Sequence, residues 1–329
     1  MKRREFITLL GGVCAGWPFA AGAQRPEPIR RIGALMNLAA DDPENQDRVG
    51  AFLQQLAKLG WTIGHNLQID YRWPAGDDAL TRRYAAELVA LAPDVILAAS
   101  GATVLPLLQA TRSIPIVFAQ TPDPVGAGFV ASLARPGGNA TGFTQFEFGT
   151  SAKWLELLKQ ISPNVTRVAV IRDAAFPSGL GQLGAIQAVA SSFGVELNPI
   201  GAHDAGEIER GVNAFTRGPN DGLIVTASAL TAVHRDVIIK LAAHRKLPAI
   251  YPFRYFVTSG GLISYGSDPI EQYRKAAGYV DRILKGEKPT DLPVQAPVKY
   301  QTVLNMKTAK ALGLNVPATV LVRADEVIE

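Results

Sequence analysis

Cysteine is almost missing from this chain. Its 329 residues hold one, Cys14, inside an N-terminal segment that reads as removable. Without that segment the chain has no disulfide framework, no thiolate metal site and no thiol nucleophile. Histidine is sparse too: His65, His203, His234 and His244 form neither an H-E-x-x-H pair nor a cluster with acids. No metal and no cofactor is expected. There is no P-loop and no G-x-S-x-G elbow. Charged residues make up only 19% and the net charge is +4, of which residues 1–23 supply +2. No basic cluster points to nucleic acid as a partner. After the N-terminus no apolar run approaches the ~20 residues that a spanning helix needs. What is plentiful is apolar side chain, 47% of the chain, enough for the cores of two domains of ordinary size.

The N-terminus, MKRREFITLLGGVCAGWPFAAGAQ, has the parts of an export signal. Lys2, Arg3 and Arg4 precede a modest apolar stretch, and Ala21-Gly22-Ala23 forms an A-x-A cleavage pattern. The arginine pair followed by Glu5-Phe6-Ile7, together with an apolar run broken by glycines and Pro18, resembles a twin-arginine signal. Pro18 argues against a permanent anchor, and Val13 before Cys14 argues against lipidation. The expectation is a periplasmic protein cleaved after Ala23.

In the remainder, nine short β-rich runs alternate with helical patterns, from RRIGALMN at the start to GLISYG near residue 265. Several runs lack polar alternation, as strands buried on both faces do. Helical patterns fall at 45–59, 79–91, 103–111, 152–161, 181–193, 205–215, 231–245 and 270–285. In the first, Val49, Phe52, Leu53, Leu56 and Leu59 share one face and Gly60 ends it. This alternation predicts an α/β fold with parallel sheets covered by helices. The series restarts near Lys153, after the turn-like RPGGNATGFT. The expectation is therefore two lobes with a hinge: residues 24–146 with 268–294, and 147–267 with 295–329. The proline-rich stretch 284–297 would cross between them.

One motif competes with this reading. Gly179, Gly181 and Gly184 spell G-x-G-x-x-G after a strand, but the first glycine lies six residues past Asp173, and Glu196 sits at the start of the next strand rather than its end. Close helix packing is the expected role. With no catalytic set, the candidate site follows from the rule that ligands bind outside the carboxyl ends of parallel strands. Those ends carry Ser100, Gly101 and Thr103; Gln120, Thr121 and Asp123; Asp173; Ser228; Tyr251; and Tyr265. Free N–H groups and a hydroxyl at Ser100-Gly101 suit a carboxylate. Asp123 or Asp173 suits an ammonium, and the tyrosines suit an apolar or aromatic side chain. Each also has a structural reading: Ser100 as a helix N-cap, Asp123 as a helix N-cap with Pro124 at the first helical position, Tyr251 as core.

The stretches PDVILAASGATVLPLLQATRSIPIVFAQTPDPVGAGFVASLARPGGNATGFT, HRDVIIKLAAHRKLPAIYPFRYFVTSGGLISYG and KTAKALGLNVPATVLVRADEVIE, with the MKRREFITLLGG start, resemble the ABC transporter substrate-binding family, related to the tryptophan/tyrosine-uptake binding proteins. The resemblance implies a type I periplasmic-binding-protein fold with two Rossmann-like lobes and a ligand in the hinge cleft. It also implies a monomeric receptor that hands a small molecule, an amino acid or an aromatic or carboxylate-bearing compound, to an ABC permease in the inner membrane. Relatives commonly carry an asparagine where this chain has Arg172-Asp173. A periplasmic α/β enzyme and a ligand-sensing domain for a membrane receptor stay open as alternatives on the residues alone.

Overall fold

The computed structural model describes residues 28–176 and 178–329; the export-signal segment, residues 1–23, lies outside them. The first series of apolar runs forms a five-stranded sheet: β1 (Arg30–Leu35), β2 (Leu67–Arg72), β3 (Val95–Ala98), β4 (Ile116–Thr121) and β5 (Ala140–Thr144), ordered β2-β1-β3-β4-β5 and parallel throughout. β3, β4 and β5 are buried along their whole length, which is why they show no polar alternation. Helices α1 (Pro43–Lys58), α2 (Asp78–Ala90) and α3 (Gly101–Ala110) connect them. Asp42 caps α1 by accepting from the Glu44 N–H at 3.0 Å, with Pro43 at the first helical position.

The second series builds a seven-stranded sheet from β6 (Arg167–Asp173), β7 (Glu196–Ala202), β8 (Asp221–Val225), β9 (Ala249–Tyr251), β10 (Ile263–Ser267), β11 (Tyr300–Asn305) and β12 (Glu326–Ile328), ordered β12-β11-β10-β9-β8-β6-β7. Helices α4 (Ala152–Ile161), α5 (Ser178–Ala190), α6 (Ala205–Phe215), α7 (Ala229–Val233), α8 (Arg235–His244) and α9 (Arg254–Thr258) belong to this series; α10 (Pro269–Leu284), α11 (Met306–Ala311) and α12 (Ala318–Arg323) follow. α10 leaves the second sheet directly after β10, yet Tyr273, Ala276, Ala277 and Val280 share a core cluster with β1 and β4 of the first.

Three strands were not expected from the sequence, and one pairing differs. β5 lies in the glycine-rich stretch that reads as a turn. Gly142 there has φ +152°, and a Cβ on it would sit 2.0 Å from the Phe118 carbonyl oxygen, so only glycine lets β5 lie against β4. β11 and β12 fall in the C-terminal tail, and β11 runs antiparallel to β10, so the second sheet is parallel-dominated rather than parallel throughout. Its direction is reversed because the chain enters β11 straight from the crossing, whereas after the first crossing α4 intervenes before β6. The proline-rich stretch before it is stitched to β5: the Gln295 N–H donates to the Gly142 carbonyl at 3.0 Å and the Thr141 hydroxyl to that of Leu292 at 2.5 Å. This covers the open edge of the first sheet.

The chain passes between the sheets three times, after β5, after β10 and before β11. A polar network sits at these crossings. Ser267 Oγ donates to the Gln145 carbonyl at 2.8 Å, Gln272 Nε2 to the Thr144 carbonyl at 3.0 Å, and the Gln120 N–H to Gln272 Oε1 at 3.1 Å. No helix among the described residues is long and apolar enough to cross a membrane.

Candidate ligand-binding cleft

In both sheets the parallel strands end toward the same gap. The turn after β3 and the turn after β8 carry the same local device. Ser100 and Thr103, at the start of α3, repeat as Ser228 and Thr231, at the start of α7: in each pair the serine N–H donates to the threonine hydroxyl, at 3.1 and 3.2 Å. The repeats differ in one atom. Ser228 Oγ accepts from the Thr231 N–H at 3.1 Å, whereas Ser100 Oγ is buried without a partner. An N-cap hydroxyl spent on its helix in one lobe is left unspent in the other.

Between the sheets lies a chamber with about 480 Å³ of atom-free space, part of it continuous with solvent. The first sheet and its helices supply polar groups to its wall: Asn37 after β1, Arg48 from α1, Ser100, Gln120 and Gln145. The second supplies rings, Phe176, Phe253 and Tyr255, together with Asp173 and Ser228. Three of the first sheet's polar atoms, Asn37 Oδ1, Ser100 Oγ and Gln120 Nε2, are buried without a hydrogen-bond partner. Each such atom costs about 1–3 kcal/mol unless something satisfies it. Gln120 is also held at φ +56°, a left-handed backbone that costs a non-glycine residue energy. Its N–H and its Oε1 are fixed by Gln272 and Gln145, so its Nε2 is the group left over.

Arg48 is 2% exposed. Its Nε donates to Glu44 Oε1 at 2.8 Å, one helical turn back, and its guanidinium lies 5.5 Å from the Tyr255 ring centre and 5.9 Å from that of Tyr273. Burial opposes its charge, but the Glu44 carboxylate and the two tyrosines outweigh it, and its pKa stands above the ordinary value. Burial pushes Asp173 above the usual carboxylate range; the Ala175 N–H, donating to its Oδ1 at 2.9 Å, works in the other direction, and Asp78 adds to the rise. Phe253 and Tyr255 stack at 5.6 Å with 21° between their planes, giving a flat aromatic wall.

Of the residues singled out from the sequence, Ser100, Gly101, Gln120, Asp173 and Ser228 line this chamber. Thr103 lines an adjoining outer one that shares Asn37, Asp173 and Phe176 with it. Four others lie outside these walls. Thr121 is fully buried in β4. Asp123 accepts from the Gly126 N–H at 2.8 Å and serves its own turn. Tyr251 stacks on Phe256 at 5.1 Å inside the second core. Tyr265 stacks on Tyr300 at 5.7 Å, and its carbonyl accepts from Trp154 Nε1 at 2.7 Å. Strand ends put a residue at the right edge of the sheet, but side-chain direction then divides the gap from the core.

Sequence reasoning missed Asn37, Arg48, Gln145, Phe176, Phe253 and Tyr255. Asn37 and Phe253 directly follow strands and fall under the strand-end rule. Arg48 had a weak signal, an acid one turn earlier at Glu44, which ordinarily marks a solvated helix face. The glycine pattern opens α5 by packing: a Cβ on Gly179 would come 2.9 Å from the Asp173 carbonyl oxygen, and one on Gly181 2.6 Å from the Phe148 ring.

Comparison with known proteins bears on this cleft. Residues 38–328 match the family model described as ABC transporter substrate binding protein. A tyrosine-binding protein of Clostridioides difficile (strain R20291) is 28% identical over 263 residues, 80% of this chain and 75% of that one. Among solved structures, an ABC domain from Streptococcus pneumonia in complex with L-Trp superposes with a TM-score of 0.84 at 25% identity, covering 91% of this chain and 99% of that one. The ligand-free, open structure of a substrate binding protein with adhesive properties from Clostridium difficile gives 0.66 at 27% identity, with the same coverage.

Proposed function

The chain belongs to the ABC transporter substrate-binding protein family, and from that premise we propose that its cleft holds a small molecule bearing a carboxylate or a zwitterionic head and an apolar or aromatic body. The chain has the type I periplasmic-binding-protein fold and is a solute-binding protein of an ABC transporter. The observation that carries the ligand class is the division of the chamber wall. Buried polar atoms without partners come from one lobe, and stacked rings come from the other.

In this reading the first lobe recognises the head. Arg48 and the Ser100–Gly101 helix start take a carboxylate, Gln120 Nε2 donates, and Asn37 Oδ1 accepts. Thr103 holds the Ser100 turn in place through its hydroxyl, which accepts from the Ser100 N–H and donates to the Ser100 carbonyl. The second lobe closes over the body, with Asp173 facing an ammonium and Phe253 and Tyr255 against the apolar face. The relatives' tyrosine and L-Trp fit this chemistry. The superposition is closer on the L-Trp complex than on the open, ligand-free relative at similar identity, which supports a closed arrangement here. The lobes, 24–146 with 268–294 and 147–267 with 295–329, move about the three crossings. The protein works as a monomer, carries its ligand unchanged rather than transforming it, and docks on a permease of the inner membrane. It is exported by the twin-arginine route and cleaved after Ala23.

The test is a thermal-melting panel of aromatic amino acids, other amino acids and aromatic carboxylates. At a hundredfold excess over Kd, binding to the folded state adds about 2.7 kcal/mol and raises the midpoint by several degrees. Arg48→Gln removes most of that rise. A panel that leaves the midpoint unmoved overturns the ligand class.

A further inference from the structure

Asp42 and Arg235 face each other across the cleft, 193 residues apart in sequence, with Arg235 Nη1 2.6 Å from Asp42 Oδ2. Asp42 precedes α1 of the first lobe; Arg235 opens α8 of the second. Their side chains are only 12% and 13% exposed, so the pair is far less screened than a surface ion pair, whose worth is near zero. Neither side chain lines the inner chamber.

The pair is tied to the chamber wall on both sides. The Arg235 guanidinium lies 5.9 Å from the centre of the Tyr255 ring, and Arg48, on the helix that Asp42 caps, lies 5.5 Å from the same ring. Tyr255 is therefore approached by a guanidinium from each lobe. The start of α1 presents Asp42, Glu44 and Arg48 to the opposite lobe, and the ion pair is made only when the lobes are together.

We propose that Asp42 and Arg235 are positioning residues that latch the closed cleft, hold Tyr255 over the chamber and thereby set how long a ligand is retained. This rests on the reading that the lobes open and close around a ligand, and it adds two residues that do not touch that ligand. The latch acts after closure, so it governs departure more than arrival.

The experiment uses the full chain with Asp42→Asn, Arg235→Gln and the double substitution. Asn remains a good helix cap, so the first change removes charge without uncapping α1. Small-angle scattering without ligand reads the closed fraction, and stopped-flow with L-tryptophan and L-tyrosine as probes reads rates. The latch predicts a larger radius of gyration in each variant, ligand release roughly tenfold faster with arrival changed less than about twofold, and a double variant no worse than either single one. Arg235→Lys, which keeps the charge, restores part of the retention. Unchanged scattering together with unchanged release overturns the latch, and so do single effects that simply add. If neither probe binds, the ligand class fails while scattering still decides the latch.

Discussion

Asp173 shows how a single side chain links the cleft's chemistry to pH. Burial raises its pKa, so the folded chain takes up a proton there at a higher pH than the unfolded chain does. The sign follows from linkage. What this group adds to folding is fully present below its unfolded pKa and is lost as pH rises through the raised folded value. Above that raised value the ionised group is a liability to the empty protein and an asset only to a cationic partner. Asp173→Asn keeps an acceptor for the Ala175 N–H and removes the charge. Where Asp173 is ionised, the ligand-free melting midpoint then rises by about 1–2 °C, while calorimetric affinity for an amino acid with a free ammonium falls roughly tenfold or more. In the natural chain that affinity declines on acidification from a pH above the ordinary carboxylate range, and in the variant the decline flattens. Stabilisation bought with lost affinity is the pattern expected of a group placed for binding.

Among the elements, β5 is one whose place depends on a single residue. Gly142 lets it approach β4, and the stretch around Gln295 then seals its other edge. Gly142→Ala forces a Cβ into the Phe118 carbonyl, which cannot yield without breaking the sheet. A loss of about 3 kcal/mol or more is expected in urea titration. The same substitution at Gly149, where a Cβ would meet nothing within 4 Å, leaves the midpoint within about 0.5 kcal/mol. α10 makes a complementary point. Asp268 caps it by accepting from the Ile270 N–H at 2.8 Å, and its apolar face is plain in the sequence. Which lobe that face covers is not, because the helix starts where the chain changes lobes.

For the molecule as a whole, the cores are separate. One cluster joins Trp154, Ile171, Ile224 and Phe256 around the second sheet; two others lie on the faces of the first. The lobes share the three crossings, Leu38 reaching into the second core, and the contacts across the cleft. Scanning calorimetry without ligand therefore gives a van't Hoff enthalpy below the calorimetric one, the mark of two units melting semi-independently. A ligand that bridges the lobes brings the two enthalpies together and raises the midpoint with concentration. A single two-state transition in the empty protein argues against this independence.

Much of the architecture was determined by the sequence alone. Strands buried on both faces must be apolar throughout and the helices covering them must be amphipathic, so strand-helix alternation, the restart after residue 150 and the strand ends bearing Ser100, Gln120, Asp173 and Ser228 are all legible locally. β11 was not, because its partner β10 is separated from it by a whole excursion into the other lobe. Nor was the division of the strand-end residues between cleft and core: Tyr251 and Phe253 are two residues apart, yet one stacks in the core and the other lines the chamber. Arg48 reads as a helix-surface cation, and it and Arg235 are covered only where the opposite lobe meets their helices. Burial on one's own sheet is written in the period of the chain, whereas burial across a cleft depends on surfaces that meet only when the two lobes are folded and closed.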